Sequence, residues 1–476
     1  MLTAVAVSGY RSLRDVVVPL HGLDVVTGAN GSGKSSLYRA LRLLAGCGRG
    51  DVVGALAREG GLQSALWAGP ATLGGARERG HAVQGTRRSG PISLRLGFAS
   101  DDFGYLVDLG LPQQSSGAEA GAASAFLRDP EIKREVVWAG PVMRPGSVLV
   151  RRRWGVVETR GAPAGDDGWD SPWGDGGGDA DEWESDPAET PGSRTGSRAA
   201  YRDTGTPDAG DGKGVRSRGA RGAQAGAGAR AGWTELTRSL RPWESMLTEL
   251  ADPERAPELL RVRRTMRAWR FYDGFRADAD APARTPQVGT RTPVLADDGR
   301  DLAAALQTIR EQGGRELDRA VADAFDGAIL DVTVDSGRFD VALHQPGMLR
   351  PLSGAELSDG TLRYLLLVAA LLTPDPPPLV VLNEPETSLH PDLLAPLARL
   401  VRAAGERSQV MVVSHSDQLI RALGVVPDDA DPDGDDRPAG LGTAPRGVTL
   451  VKDLGETFVQ GQGLLTTPPW TWGSRR

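Results

Sequence analysis

The residues that most clearly predict chemistry lie between positions 28 and 36. Residues 28–35 read GANGSGKS, the spacing of a loop that wraps around phosphate groups. Glycines let such a backbone curl so that successive N–H groups point at phosphate oxygens, and the following helix adds its positive end. We expect Lys34 to reach the β- and γ-phosphates of a nucleotide and the Ser35 hydroxyl to bind Mg²⁺. The other expected nucleotide contacts in this loop are Gly28, Asn30, Gly31, Ser32, Gly33 and Ser36.

A second segment joins an apolar strand to polar residues. Residues 379–382 (LVVL) are followed by Asn383 and Glu384. A strand end beside a phosphate loop is where Mg²⁺ is bound and the attacking water is oriented. We expect Glu384 to act as the general base, and Asn383, with Ser35, to hold the metal. Asn383 stands where an aspartate is usual, and its uncharged carbonyl should hold the metal less firmly.

Two further segments carry anion-binding groups. Residues 357–361 (LSDGT) begin a very apolar helix, where Ser358 can act as the N-cap. Ser358 and Gly360 could form a second anion site that serves the nucleotide of a neighbouring chain, and the alternative is a cap without a ligand. Residues 410–413 form an apolar strand that leads to His415, which we expect to sense the γ-phosphate, although a lone histidine there would usually be structural.

These residues require strands and helices that bring them together. Periodicity predicts strands near both termini and a helix with Leu37, Leu41 and Leu44 on one face. The predicted strands are residues 2–7, 16–20, 23–27, 151–159, 329–334, 339–343 and 448–452. We divide the chain into an N-terminal lobe (1–160), an insertion (161–232), a helical and mixed lobe (233–345) and a C-terminal lobe (346–476).

Composition narrows the class of protein. Of the 476 residues only 39% are hydrophobic, and the insertion has one aliphatic residue larger than alanine, Val215. We expect the insertion to be disordered, either as a linker or as a partner-binding arm. Cys47 is the single cysteine, which excludes an internal disulfide and a cysteine-based zinc site. Without a run of about 18 apolar residues or a leader-like start, a cytoplasmic protein without a membrane span is expected.

Taken in order, these segments resemble the ABC-type ATPase heads of the RecF/SMC-like AAA family. Residues 28–35 are similar to its Walker A loop, LSDG to its signature, LVVLNEPETSLHP to Walker B with the D-loop, and VVSH to its switch. The segments WRFYDGFR and NEPETSLHPDLL are similar to a group of bacterial ATPases of this superfamily. The resemblance implies an α/β P-loop NTPase fold with a mixed sheet and a helical lobe, and it places Arg11 of GYRSL near the nucleotide.

The resemblance also implies a mechanism. Two copies would sandwich two ATP molecules with Mg²⁺, so that Ser358 and Gly360 of one copy complete the site built by Lys34, Ser35 and Glu384 of the other. ATP binding would close the homodimer and hydrolysis would open it. The family has a glutamine at the nucleotide, for which the candidates are Gln63, Gln113 and Gln114. No acidic cluster of a Toprim nuclease follows the ATPase segments, so we expect no nuclease within the chain.

The biological process stays open at this point. The leading hypothesis is an ATPase in DNA repair or maintenance, or in defence against foreign DNA. Asn383 motivates a second one, a slow nucleotide-gated regulator of a partner protein such as a nuclease. The long separation of Lys34 from Ser358 disfavours a transporter subunit. Residues 261–272 interleave arginines with aromatics, as nucleic-acid binders do, but their apolar members also fit the buried face of a helix, which we favour.

Overall fold

The computed structural model describes residues 1–69, 93–112, 128–160, 232–425, 440–442, 444–463 and 466–473. The predicted disorder of 161–232, and the candidates Gln113 and Gln114, therefore lie almost entirely outside the described residues. No helix within the described ranges is long and apolar enough to cross a membrane.

An eight-stranded antiparallel sheet forms one layer. Its spatial order is β2–β1–β4–β5–β6–β7–β8–β9. The strands are β1 (Leu2–Tyr10), β2 (Leu13–Pro19), β4 (Ser93–Ser100), β5 (Phe103–Gly110), β6 (Glu131–Ala139), β7 (Val148–Arg153), β8 (Val156–Arg160) and β9 (Trp233–Thr237). The prediction of a single strand over 151–159 is wrong, because the chain reverses at Trp154 (φ 58°) and Gly155 and forms the β7–β8 hairpin.

A second sheet has six strands in the order β10–β15–β16–β3–β17–β18. All neighbours run parallel except the β17–β18 pair. Its strands are β3 (Leu23–Thr27), β10 (Arg270–Asp273), β15 (Leu379–Asn383), β16 (Gln409–Val413), β17 (Arg446–Asp453) and β18 (Glu456–Val459). Successive residues of β15 and β16 enter different cores, Val381 and Met411 one, Val380 and Val412 the other. Burial on both faces explains why these strands read as continuous apolar runs.

Helix α1 (Lys34–Arg49) packs between the two sheets. Leu37, Leu41 and Leu44 are fully buried there, which confirms the predicted face. The other helices are α2 (Val52–Arg58), α3 (Leu62–Ala65), α4 (Met246–Glu249), α5 (Pro257–Ala268), α6 (Leu302–Glu311), α7 (Arg315–Ala324), α8 (Asp359–Leu371), α9 (Leu394–Gly405) and α10 (Asp417–Leu423).

Residues 233–345 are less helical than the sequence predicted. They contain β9 and β10, besides a small sheet in which β13 (Arg338–His344) lies between β11 (Gln287–Val288) and β12 (Ile329–Asp335) and also pairs with β14 (Leu352–Ser353). The predicted strands 329–334 and 339–343 are confirmed as β12 and β13. In the arginine-rich segment, Val262, Met266, Trp269 and Phe271 are buried. The favoured interpretation, an apolar face within the core, is therefore confirmed, and Trp269 and Phe271 are not free to stack on bases.

Candidate nucleotide-binding site

The glycine-rich loop links the end of β3 to the start of α1. Gly28, Gly31 and Gly33 have φ values of 141°, 80° and 112°, which residues with a side chain rarely adopt. A Cβ atom on Gly28 would lie 2.2 Å from the Leu450 carbonyl oxygen, so the loop also lacks room for one. No side chain caps α1 at Gly33, which leaves the first N–H groups of the helix available to an anion.

Lys34 spans this loop. Its side chain is buried, and Nζ donates to the carbonyl oxygens of Gly28 (2.6 Å) and Ala29 (3.2 Å). These carbonyls hold the ammonium group over the curled backbone. The neighbouring Ser35 is exposed. Charge and hydroxyl thus lie side by side, as binding of a phosphate with its metal requires.

A cleft of about 320 Å³ opens beside the loop. Its lining includes the predicted residues Arg11, Asn30, Gly31, Gly33, Lys34, Ser35, Ser36 and Glu384. Ser12 and Lys452 line it as well, and the sequence interpretation missed both. Lys452 could have been found, since the chain has only four lysines and otherwise uses arginine. The volume falls at the lower end of the range of small-molecule sites.

Thr457 of β18 fixes the loop from the opposite side. Its hydroxyl donates to the Ser32 carbonyl oxygen (2.7 Å) and contacts Ser12 Oγ (2.8 Å). The Ser32 hydroxyl is buried and has no hydrogen-bond partner among the described residues. A buried hydroxyl without a partner is costly, so it marks a place where a ligand oxygen fits.

Arg11 is held at the rim of the cleft. It has a left-handed backbone (φ 47°), and its guanidinium donates to Glu59 Oε2 (2.9 Å). The Tyr10 hydroxyl donates to the same oxygen (2.5 Å), and burial raises the pKa of Tyr10, which keeps it a neutral donor. The guanidinium group of Arg11 is therefore oriented by the chain itself, at the rim of the cleft.

Glu384 follows the last residue of β15 and is fixed by the neighbouring strand. It has φ 47°, and its backbone N–H donates to the Val413 carbonyl oxygen of β16 (2.8 Å). His415 Nδ1 lies 3.6 Å from Glu384 Oε1 and 3.7 Å from Glu386 Oε1. The structure thus brings the predicted base and the predicted switch histidine together, although His415 is not part of the cleft lining.

Glu386 anchors the histidine segment. This carboxylate is buried and accepts hydrogen bonds from the Ser414 hydroxyl (2.5 Å) and the His415 backbone N–H (3.2 Å). Two charge-assisted bonds fix the end of β16 relative to the end of β15. Sequence reasoning placed Glu386 only within the D-loop and gave it no contact of this kind.

Asn383 ends β15, one residue before Glu384. Its side-chain Nδ2 donates to Asp273 Oδ1 (2.9 Å), and its Oδ1 is buried without a hydrogen-bond partner in the described ranges. That free carbonyl oxygen and the Ser35 hydroxyl are hard oxygen donors of the kind that suits Mg²⁺. No group of three or more His, Cys, Asp or Glu residues in the described chain could hold a metal, so phosphate oxygens would have to complete the shell.

The LSDG segment lies at the surface. Ser358 is exposed at the N-cap of α8, where its hydroxyl accepts from the Thr361 N–H (3.1 Å). The buried Arg284 donates to the Leu357 carbonyl oxygen (2.6 Å) and pairs with Asp359 (2.5 Å), which fixes the turn. The predicted cap is confirmed. Neither Ser358 nor Gly360 belongs to the cleft lining, and Gln63 is exposed on α3 and is absent from it too.

Comparison with known proteins gives the family context. A family model described as "AAA domain, putative AbiEii toxin, Type IV TA system" matches residues 182–421, half of the chain. No curated protein matches the chain.

Among solved structures, the chain is similar to an Smc head bound to the C-terminal winged-helix domain of ScpA. The identity is 12%, the alignment covers 97% of this chain and 98% of the other, and the TM-score is 0.43. For an Smc head from Pyrococcus furiosus bound to the C-terminal domain of ScpA, the identity is 11%, the coverage is 98% of this chain and 96% of the other, and the TM-score is 0.41. For the SMC head domain from Thermotoga maritima, the identity is 12%, the coverage is 97% of this chain and 99% of the other, and the TM-score is 0.36. TM-scores below 0.5 carry no weight for function.

Proposed function

Because this chain belongs to the AAA-domain family whose model matches half of it, we propose that it binds ATP in the cleft at Lys34 and hydrolyses it. Membership makes it an AAA-type ATPase in general terms, and the described residues have an α/β fold with a largely parallel sheet. The observation that supports the finer assignment is the cleft, where the phosphate loop, Arg11 and Glu384 meet.

Binding would rest on groups that the fold already positions. The loop amides and the free N–H groups at the start of α1 would receive the phosphates, while Lys34 exchanges its carbonyl partners for phosphate oxygens. Arg11 and Lys452 would add positive charge at the rim. Bound Mg²⁺ would neutralise phosphate charge. Ser35 and Asn383 are the protein residues that would hold it.

Hydrolysis would depend on Glu384. Its carboxylate would orient a water molecule and accept its proton while the water oxygen forms a bond to the γ-phosphorus. The bond from that phosphorus to the bridging oxygen breaks, so that ADP and phosphate leave. His415 lies beside Glu384 and would donate a hydrogen bond to the γ-phosphate, with Glu386 holding its backbone.

We further propose that two copies enclose the nucleotides. Ser358 and Gly360 lie outside the cleft of their own chain, and Ser358 is exposed at a helix N-terminus. This placement fits a surface that meets the nucleotide of another copy. The test is the molar mass of the protein by light scattering with Mg-ATPγS and without nucleotide. A doubling with nucleotide is expected, and an unchanged mass would contradict the sandwich.

The process that the ATPase serves is tested by its response to partners. The DNA hypothesis predicts salt-dependent DNA binding and faster phosphate release on DNA. A nucleotide-gated regulator, which the uncharged Asn383 supports, predicts slow release in the absence of its partner protein. Measuring phosphate release with and without duplex DNA at two salt concentrations separates them, since stimulation would favour the first and slow, DNA-independent turnover the second.

A further inference from the structure

Asn383 and Asp273 occupy matching positions on neighbouring strands. They are the last residues of β15 and β10, and the parallel register places them opposite each other. The carboxyl ends of parallel strands share one edge of a sheet, so both lie at the edge that also carries the phosphate loop and Glu384. Asn383 Nδ2 donates to Asp273 Oδ1 over 2.9 Å. The neutral residue therefore touches a carboxylate from the next strand.

This hydrogen bond fixes the amide of Asn383. With Nδ2 directed at Asp273, the carbonyl oxygen Oδ1 is left as an acceptor, and it is buried with no hydrogen-bond partner among the residues described. An unsatisfied buried acceptor costs about 1–3 kcal/mol. A water molecule bound to a metal is a donor that would satisfy it.

Asp273 also acts electrostatically on the helix that carries Ser35. Tyr38 lies on α1 three residues after Ser35, and its pKa is raised first by burial and next by the negative charge of Asp273. The Asp273 carboxylate itself is exposed. Its charge thus acts on the first turns of α1, where the metal and the β- and γ-phosphates would lie.

We propose that Asp273 supplies the carboxylate that β15 lacks, and that Asp273 and Asn383 form one unit that holds the water shell of Mg²⁺. This inference rests on the proposed nucleotide binding. Mg²⁺ in nucleotide sites keeps several waters and uses one or two carboxylates besides the phosphates. A shell of this kind needs the negative charge near the metal, and β10 can provide it as well as β15 because the two strand ends are joined by a hydrogen bond.

Exchange of the two side chains tests the proposal. The variants are Asp273→Asn, the double variant Asp273→Asn/Asn383→Asp, and Asp278→Asn as a matched control at an exposed, ion-paired carboxylate nearby. The readout is the Mg²⁺ concentration that gives half-maximal binding of a fluorescent, non-hydrolysable ATP analogue. Mn²⁺ binding to the nucleotide complex, followed by electron paramagnetic resonance, gives a second measure.

We expect Asp273→Asn to raise the required Mg²⁺ concentration by about 10–100-fold, the usual size for a group that supports a metal shell. The double variant should return to within about threefold of the parent, and Asp278→Asn should not differ from it. Nucleotide binding in EDTA should be equal in all variants, which also shows that each is folded. A parental metal requirement in Asp273→Asn, or a double variant no better than Asp273→Asn, would overturn the inference. Absence of nucleotide binding by the parent would instead refute the proposed function.

Discussion

The two segments that we propose to bind anions, the phosphate loop and the LSDG segment, differ in how completely the chain itself surrounds them. The phosphate loop lies in a cleft, with Lys34 buried and Arg11, Glu384 and Lys452 contributed by other elements. The LSDG segment has an equally well-fixed backbone, through Arg284 and the Ser358 cap, but its polar groups face outward. The first segment is enclosed by other parts of the chain, whereas the second has a fixed backbone and lies outside this cleft.

This difference suggests that the cleft acts within one chain and that the LSDG segment acts between two chains. A site that is built by one chain can bind nucleotide as a monomer, whereas an exposed helix start can contribute only when a second surface covers it. Substitutions in the cleft should therefore change nucleotide binding or chemistry in the monomer. Substitutions at Ser358 should leave monomer binding intact and change assembly.

The largest effect is expected from Lys34→Ala. The substitution removes the ammonium group that the Gly28 and Ala29 carbonyls position, and charged hydrogen bonds to phosphate contribute about 1.5–3 kcal/mol each. We expect ATP affinity, measured by titration calorimetry, to fall by about 100-fold or more. Lys452→Ala is the matched control at an exposed lysine of the same cleft and should lose at most about 10-fold. Equal losses of ATP affinity in the two variants would contradict the expectation that the buried lysine contributes more to binding than the exposed one.

Glu384→Gln should separate binding from chemistry. The amide cannot accept the proton of the attacking water, so kcat should fall by about 10²–10⁴-fold while ATP binding stays parental. Light scattering should then show a dimer that persists with ATP. Glu316→Gln, at an exposed carboxylate on α7, is the control and should hydrolyse at the parental rate. A Glu384→Gln protein with parental phosphate release would mean that another group activates the water.

Sequence alone predicted contiguous segments far better than residues that distant strands bring together. The glycine-rich loop was recognisable, because its glycines, Lys34 and Ser35 are contiguous and each has a separate physical requirement. Asp273 was not, since only strand pairing across a long stretch of chain brings it beside Asn383. Lys452 was missed as well, although the scarcity of lysine in the sequence could have pointed to it. The strands β4, β5, β6 and β18 were missed too, and β10 was hidden in an arginine-rich stretch that resembles a helix. Contacts between distant segments leave no local pattern.

Ser358→Asp should disrupt assembly with a smaller change to the monomer. Aspartate caps a helix about as well as serine, so α8 should stay folded. The added negative charge would face the γ-phosphate of the other copy, and we expect the nucleotide-induced dimer to be lost in sedimentation experiments. Ser358→Asn keeps the cap without the charge and should still dimerise. Loss of the dimer in both variants would indicate a requirement for the Ser358 hydroxyl. A dimer that persists in both variants would mean that this surface does not contact the nucleotide of the other copy.

The smallest effect is expected from removing residues 161–232. Arg160 at the end of β8 pairs directly with Trp233 at the start of β9, so the two ends of this segment are neighbours across an antiparallel pair. A two-residue Asn-Gly turn can close such a pair. Each halving of loop length lowers the entropy cost of closure by about 0.6 kcal/mol. We therefore expect the melting temperature of the shortened chain to be equal to or slightly above that of the parent, with ATP affinity unchanged. A marked drop would mean that the segment packs against the antiparallel sheet and that this sheet depends on it for part of its stability.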